Sequence, residues 1–151
     1  MKLTINHHHI TFPDEFIVVD EQNHKLYGIE SKLWWGHQIV MKNIHDEEIG
    51  RIDDGITNIM PVFKIIINDE DAGYVKRVLS LKQKRYDIHF QGWMIRGLME
   101  EDHFDIVDRH GKLLAHYNCI NGRHVFDILQ PKYHQQILLF VIAVKAIQEL
   151  E

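Results

Sequence analysis

The chain has 151 residues, 45% hydrophobic and 26% charged, with a formal net charge of -5. That length fits one domain with a core of its own, and the composition is that of an ordinary globular protein. The acidic balance excludes a general nucleic-acid binder, whose phosphate contacts need clustered Lys and Arg. The single cysteine, Cys119, excludes a disulfide-built scaffold.

The chain opens MKLTINHHHITF, with no apolar run of signal-peptide length. A cytoplasmic protein is expected, with His7-His8-His9 native to it. Apolar alternating runs then begin at Phe16, Ile39, Phe63, Tyr86, Phe104 and Val125. Most are followed by an acidic or Asn/Gly-containing turn and a second run with a glycine near a β-branched residue: Tyr27-Gly28-Ile29, Ile49-Gly50-Arg51-Ile52, Gly73-Tyr74-Val75. Alternation puts Phe63, Ile65 and Ile67 on one strand face with Lys64 opposite, and Tyr86, Ile88 and Phe90 on another with Asp87 and His89 opposite. Strands with one solvated face are usually antiparallel. Asn121-Gly122 and Arg109-His110-Gly111 read as tight turns. The spacing predicts six hairpin-like units, roughly twelve strands in all.

The chain ends differently. Pro131 suits a first helical turn, and Ile137 to Val144 is apolar without a break. A helix hydrophobic all round is buried in a core or in a membrane, and this one is shorter than the ~20 residues a bilayer needs. The fold expected is therefore mainly β: a single closed antiparallel barrel of about twelve strands, over residues 3–130, around a central hydrophobic C-terminal helix over residues 132–150. No linker marks a domain boundary.

Phe16-Ile17-Val18-Val19-Asp20, Ile49-Gly50-Arg51-Ile52, Gly73-Tyr74-Val75-Lys76-Arg77, Phe104-Asp105-Ile106-Val107-Asp108 and the terminal helix form a layout that resembles the LURP-one-related (YxjI-type) family. The resemblance implies the tubby C-terminal-like fold shared with tubby proteins and phospholipid scramblases, a twelve-stranded barrel around a central helix. Tubby domains bind phosphoinositide head groups through Lys and Arg, so the resemblance implies an anionic lipid as the ligand to test. The cysteine-rich lipidated segment of scramblases has no counterpart here.

Within the acidic chain, five cations fall in ten residues without an acid: Lys76, Arg77, Lys82, Lys84 and Arg85. Such a run can bind anionic head groups at ~1 kcal/mol per cation, with Val78, Leu79 and Leu81 between the charges to meet the acyl boundary. It also reads as a solvated connection between two hairpins. Trp34 and Trp35 are adjacent, so on a strand they face opposite ways, and one of them could anchor at a membrane or a partner; both could equally cap the barrel end.

Other chemistry is poorly provisioned. The twelve histidines follow no metal-ligand motif, although His103 and Asp105 would share a strand face. The turns Asn68-Asp69-Glu70-Asp71 and Asp46-Glu47-Glu48 lack the EF-hand spacing and read as hairpin tips. Cys119 follows His116 by three residues, which on a strand puts them on opposite faces, so Cys119 reads as a small core residue. Ser31 and Ser80 sit in no G-x-S-x-G motif. No catalysis, cofactor or metal is expected. The function expected is a non-catalytic tubby-like module that binds anionic phospholipid at a membrane surface, to which it is peripheral. The alternative is a structural or protein–protein interaction module.

Overall fold

The computed structural model describes residues 1–6, 15–32, 38–54, 61–78, 85–98 and 102–149. Among the described residues twelve strands are formed: β1 (Lys2–Asn6), β2 (Glu15–Val19), β3 (Lys25–Lys32), β4 (Gln38–Asn43), β5 (Glu48–Asp54), β6 (Val62–Ile67), β7 (Glu70–Val78), β8 (Arg85–Phe90), β9 (Met94–Leu98), β10 (His103–Val107), β11 (Leu113–Ile120) and β12 (Arg123–Ile128). They make one antiparallel sheet in the order β8-β7-β6-β5-β4-β3-β2-β1-β12-β11-β10-β9. Chain neighbours are therefore sheet neighbours except β8 and β9, and β1 pairs with β12, where Leu3 faces Phe126. The N-terminal amine donates to the Ile128 carbonyl at 3.2 Å, and the Ile128 amide returns a bond to the Met1 carbonyl at 2.8 Å.

The barrel is nearly closed rather than closed. Its seam lies between β8 and β9, which follow one another in the chain yet terminate the sheet at its two ends. Gln91 and Gly92, at φ 59° and 71°, form the tight turn between them, with the Trp93 amide bonded to the Phe90 carbonyl at 2.9 Å. Beyond that bond the two strands diverge. The Trp93 indole fills this corner, with ring centroids 5.2 Å from Phe90 and 5.9 Å from both Tyr133 and Phe140. An inward aromatic stands where another ladder pair would begin.

Period-two alternation holds along the wall. Phe63 and Ile65 are buried while Lys64 between them is exposed, and His124, Phe126 and Ile128 of β12 are buried on one face. The interior is filled by the C-terminal helix. Pro131–Tyr133 forms a short 3-10 turn, and α1 runs His134–Glu149. Every residue from Ile137 to Ile147 is buried, the pattern of a helix enclosed on all sides.

The helix entry is clamped. His134 Nδ1 lies 2.8 Å from the Pro131 carbonyl oxygen, which can only accept, so Nδ1 carries the proton. In the neutral ring Nε2 then accepts the Tyr27 hydroxyl proton at 2.6 Å, and Gln135 Nε2 donates to the same hydroxyl oxygen at 3.0 Å. The helix is thereby tied to β3 before its apolar part begins.

An up-and-down sheet sorts its connections by end. The turns β2–β3, β4–β5, β6–β7, β8–β9 and β10–β11 share one end, where the helix enters. The strand ends joined by segments 7–14, 33–37, 55–60, 79–84 and 99–101 all lie at the other end, together with the Asn121-Gly122 turn.

Candidate functional site

Lys76 and Arg77 belong to β7, and Arg85 begins β8, so the cationic stretch is a hairpin rather than one connection. Lys82 and Lys84 lie outside the described residues, as do Trp34 and Trp35. The antiparallel register sets Lys76 opposite Asp87, Arg77 opposite Tyr86 and Val78 opposite Arg85. By the pleat, Lys76, Val78, Asp87 and Arg85 share one face, with Arg77 on the other. Val78 is 38% exposed. An apolar side chain and a cation therefore stand side by side at the hairpin's open end.

Along the same face, Lys76 has a carboxylate across from it, which the local sequence does not show. Asp87 also lies 3.1 Å from His89 Nε2, and the His89 ring stacks on Tyr74 with centroids 4.7 Å apart. A groove of about 530 Å3 borders this pair where the chain turns toward β9.

A second charged feature crosses five strands on the outer wall. The registers align Arg96, Asp105, His116, Asp127 and Lys2 in one row. His116 Nδ1 is 2.5 Å from Asp105, whose other carboxylate oxygen lies 3.5 Å from Arg96. His103 and Asp105 do share a face, yet the partner of Asp105 is His116 on the next strand. Among the described residues, no group of three or more His, Cys, Asp or Glu is placed to hold a metal ion.

The remaining polar cluster is internal. Lys145, 8% exposed within the otherwise apolar run Ile137–Ile147, pairs with Asp102 ahead of β10. The Asp102 carbonyl accepts from the Cys119 amide at 2.8 Å. The Tyr117 hydroxyl meets Nδ1 of the buried His124 at 2.8 Å. Burial first, and then the neighbouring Cys119 and Asp102, push the Tyr117 hydroxyl far above its ordinary range. Burial and the Asp102 charge likewise raise the Cys119 thiol, keeping it protonated and unreactive. Cys119 packs against the core and His116 faces out, as their spacing predicts. The pairing of Lys145 with the half-exposed Asp102 has one sequence signal, a lone cation within the apolar run of the helix.

The acidic turns are hairpin tips. Asn68 and Asp69 take φ 53° and 61° between β6 and β7. The Arg51 guanidinium gathers Glu48, Asp69 and Asp53 at 2.8, 3.1 and 3.2 Å. Partial burial would lower the Arg51 pKa, but those three carboxylates outweigh it and raise it.

The architecture defines the class: a twelve-stranded, nearly closed antiparallel barrel with one C-terminal helix packed inside it. The chain is similar to a protein of Arabidopsis thaliana solved by X-ray crystallography, with a TM-score of 0.61, 10% identity, and coverage of 91% of this chain and 86% of that one. At that identity the likeness supports the fold alone. No family model and no curated protein matches the chain.

Proposed function

We propose that the chain is a non-catalytic, tubby-like module of the LURP-one-related type that binds anionic lipid head groups, peripheral to a membrane surface. The observation that carries the reading is the open end of the β7–β8 hairpin. There Arg85, exposed Val78 and Lys76 share a face, and segment 79–84, with Lys82 and Lys84 in its sequence, joins the two strands. Segment 33–37, which contains Trp34 and Trp35, joins strand ends at that same barrel end. Cations beside apolar and aromatic residues are the combination that an anionic interface attracts. The turns of the opposite end carry Asp20, Glu21, Asp46, Glu47, Asp69 and Asp108. Among the described residues, no helix is long and apolar enough to cross a membrane.

Flotation with anionic and neutral vesicles, at low and high salt, tests this. Recovery with anionic vesicles only, lost at high salt through charge screening, is expected. Changing Lys82, Lys84 and Arg85 to Glu abolishes it. Flotation that ignores vesicle charge, or survives those three substitutions, overturns the reading.

A further inference from the structure

The hairpin joining β11 to β12 ends in a turn of two residues, Asn121 and Gly122, at φ 52° and 77°. Positive φ at both central positions is the mirror-image turn that matches strand twist, so the ladder runs unbroken to the tip. Its last pair sets Ile120 opposite Arg123, and Asn6 of β1 stands on the other side of Arg123. Cys119 and His124, next to them, point into the core, so Ile120 and Arg123 point out. Ile120 is 59% exposed, against 38% for Val78. Arg123 is exposed too, and among the described residues no carboxylate lies within 4.0 Å of its guanidinium. Residues 117–126 hold no acid, and Asp102, which leads into the neighbouring β10, is held by Lys145. Further along the same strands the outward row changes character, with Asp105 and Asp127 on either side of His116. The acid-free part of this wall is therefore the part nearest the tip. That tip lies at the same barrel end as the open end of the β7–β8 hairpin, with β9, β10 and the seam between them.

We propose that the tip of the β11–β12 hairpin is a second contact with an anionic bilayer, made by Arg123 and Ile120. The Arg123 guanidinium takes a head-group phosphate through its paired N–H donors, and Ile120 enters the acyl boundary beside it. Once the β7–β8 end is engaged, the tip meets the surface as a tethered group at high effective concentration, so one cation and one isoleucine are enough to add affinity. Two separated contacts on one rim also fix the tilt of the barrel against the surface. The inference rests on the lipid reading above and adds to it a site outside the cationic run of residues 76–85.

The test uses the full chain with vesicles of phosphatidylcholine alone and of equal parts phosphatidylcholine and phosphatidylserine, at low salt. R123E is expected to weaken partition into the anionic vesicles by about fivefold or more, and I120S by about threefold or more. Both side chains are exposed, so both variants keep the melt of the parent. A trace of lipid carrying gadolinium on its head group locates the contact independently. It is expected to broaden the Ile120 methyl signals and to spare Ile44, which is 64% exposed on the β4–β5 turn at the opposite end. If R123E and I120S partition as the parent does while K82E/K84E/R85E abolishes binding, the second contact is wrong and the lipid reading stands. Broadening of Ile44 in place of Ile120 overturns it as well. A parent chain that never floats with the anionic vesicles removes both.

Discussion

A Cβ built on Gly50 would meet Leu139 Cδ1 at 2.6 Å and the Ile66 carbonyl oxygen at 2.8 Å. The residue is glycine because the helix leans on the wall at that point. Gly73, at φ 152°, is equally constrained by the His89 carbonyl across the β7–β8 ladder. Gly28 is not, since its nearest neighbours are Lys25 side-chain atoms at 3.7 Å. Gly50→Ala is therefore expected to cost about 1–3 kcal/mol, the range for overpacking a filled core. Gly28→Ala should change stability by less than about 0.5 kcal/mol. Urea unfolding of both variants beside the parent checks the difference, and equal effects would sink the steric account. In sequence the three glycines look alike, each close to a β-branched residue, because the atoms that separate them come from distant elements. The same limit hid Asp87 from Lys76: eleven positions apart in the chain, they meet only through the hairpin register.

Three hairpins share one turn device. Asp20 Oδ1 accepts from the Gln22 and His24 amides, both at 2.9 Å. Asp108 Oδ1 accepts from His110 and Lys112 at 2.8 and 2.9 Å, and Asn43 Oδ1 from His45 and Glu47 at 2.9 and 3.0 Å. In each turn the fourth residue has positive φ: Asn23, Gly111 and Asp46. The backbone amide of His24 at Asp20, and of Lys112 at Asp108, is the largest influence holding each carboxyl below its ordinary 3.8, against a smaller opposing effect of burial. A carboxyl depressed in the folded state stabilises above its unfolded pKa, and that contribution is lost as pH falls through the folded value. The loss therefore begins below about pH 4. The double variant D20N/D108N keeps an acceptor oxygen, as Asn43 does naturally, and lacks the proton linkage. Its melting temperature should lie below the parent's at neutral pH and converge on it on acidification below that point, as circular dichroism melts would show. Parallel curves would remove these turns from the acid response. Turn positions are legible in the sequence because they depend on local Asp, Asn and Gly; the shared geometry emerges only from the bonds.

At the scale of the molecule, helix and barrel define each other. The unbroken apolar run Ile137–Val144 led directly to a central helix, since a helix with no polar face has nowhere else to go in water. The seam was not legible, because it depends on which strand ends fail to meet. That is set by the long-range β1–β12 pairing and by the Trp93 corner rather than by any local pattern. With α1 in place, Ile29, Ile52, Phe63, Ile65, Val75 and Phe90 are all buried at 2% exposure or less. Without it those inner positions would line an empty interior, and cavity costs rise with the volume left unfilled. The Tyr27–His134 clamp and the Trp93–Phe140 contact that plugs the seam would be lost as well. Deleting residues 131–151 is therefore expected to abolish the cooperative melt and the dispersed amide spectrum of the parent. A milder variant separates filling from connectivity. Phe140→Ala keeps the helix and its clamp but empties the space beside Phe90 and Trp93, at about 3–5 kcal/mol. A truncated chain that stays soluble and melts cooperatively would mean the strands close on their own core, and the helix would then be an occupant of the barrel rather than part of what holds it together.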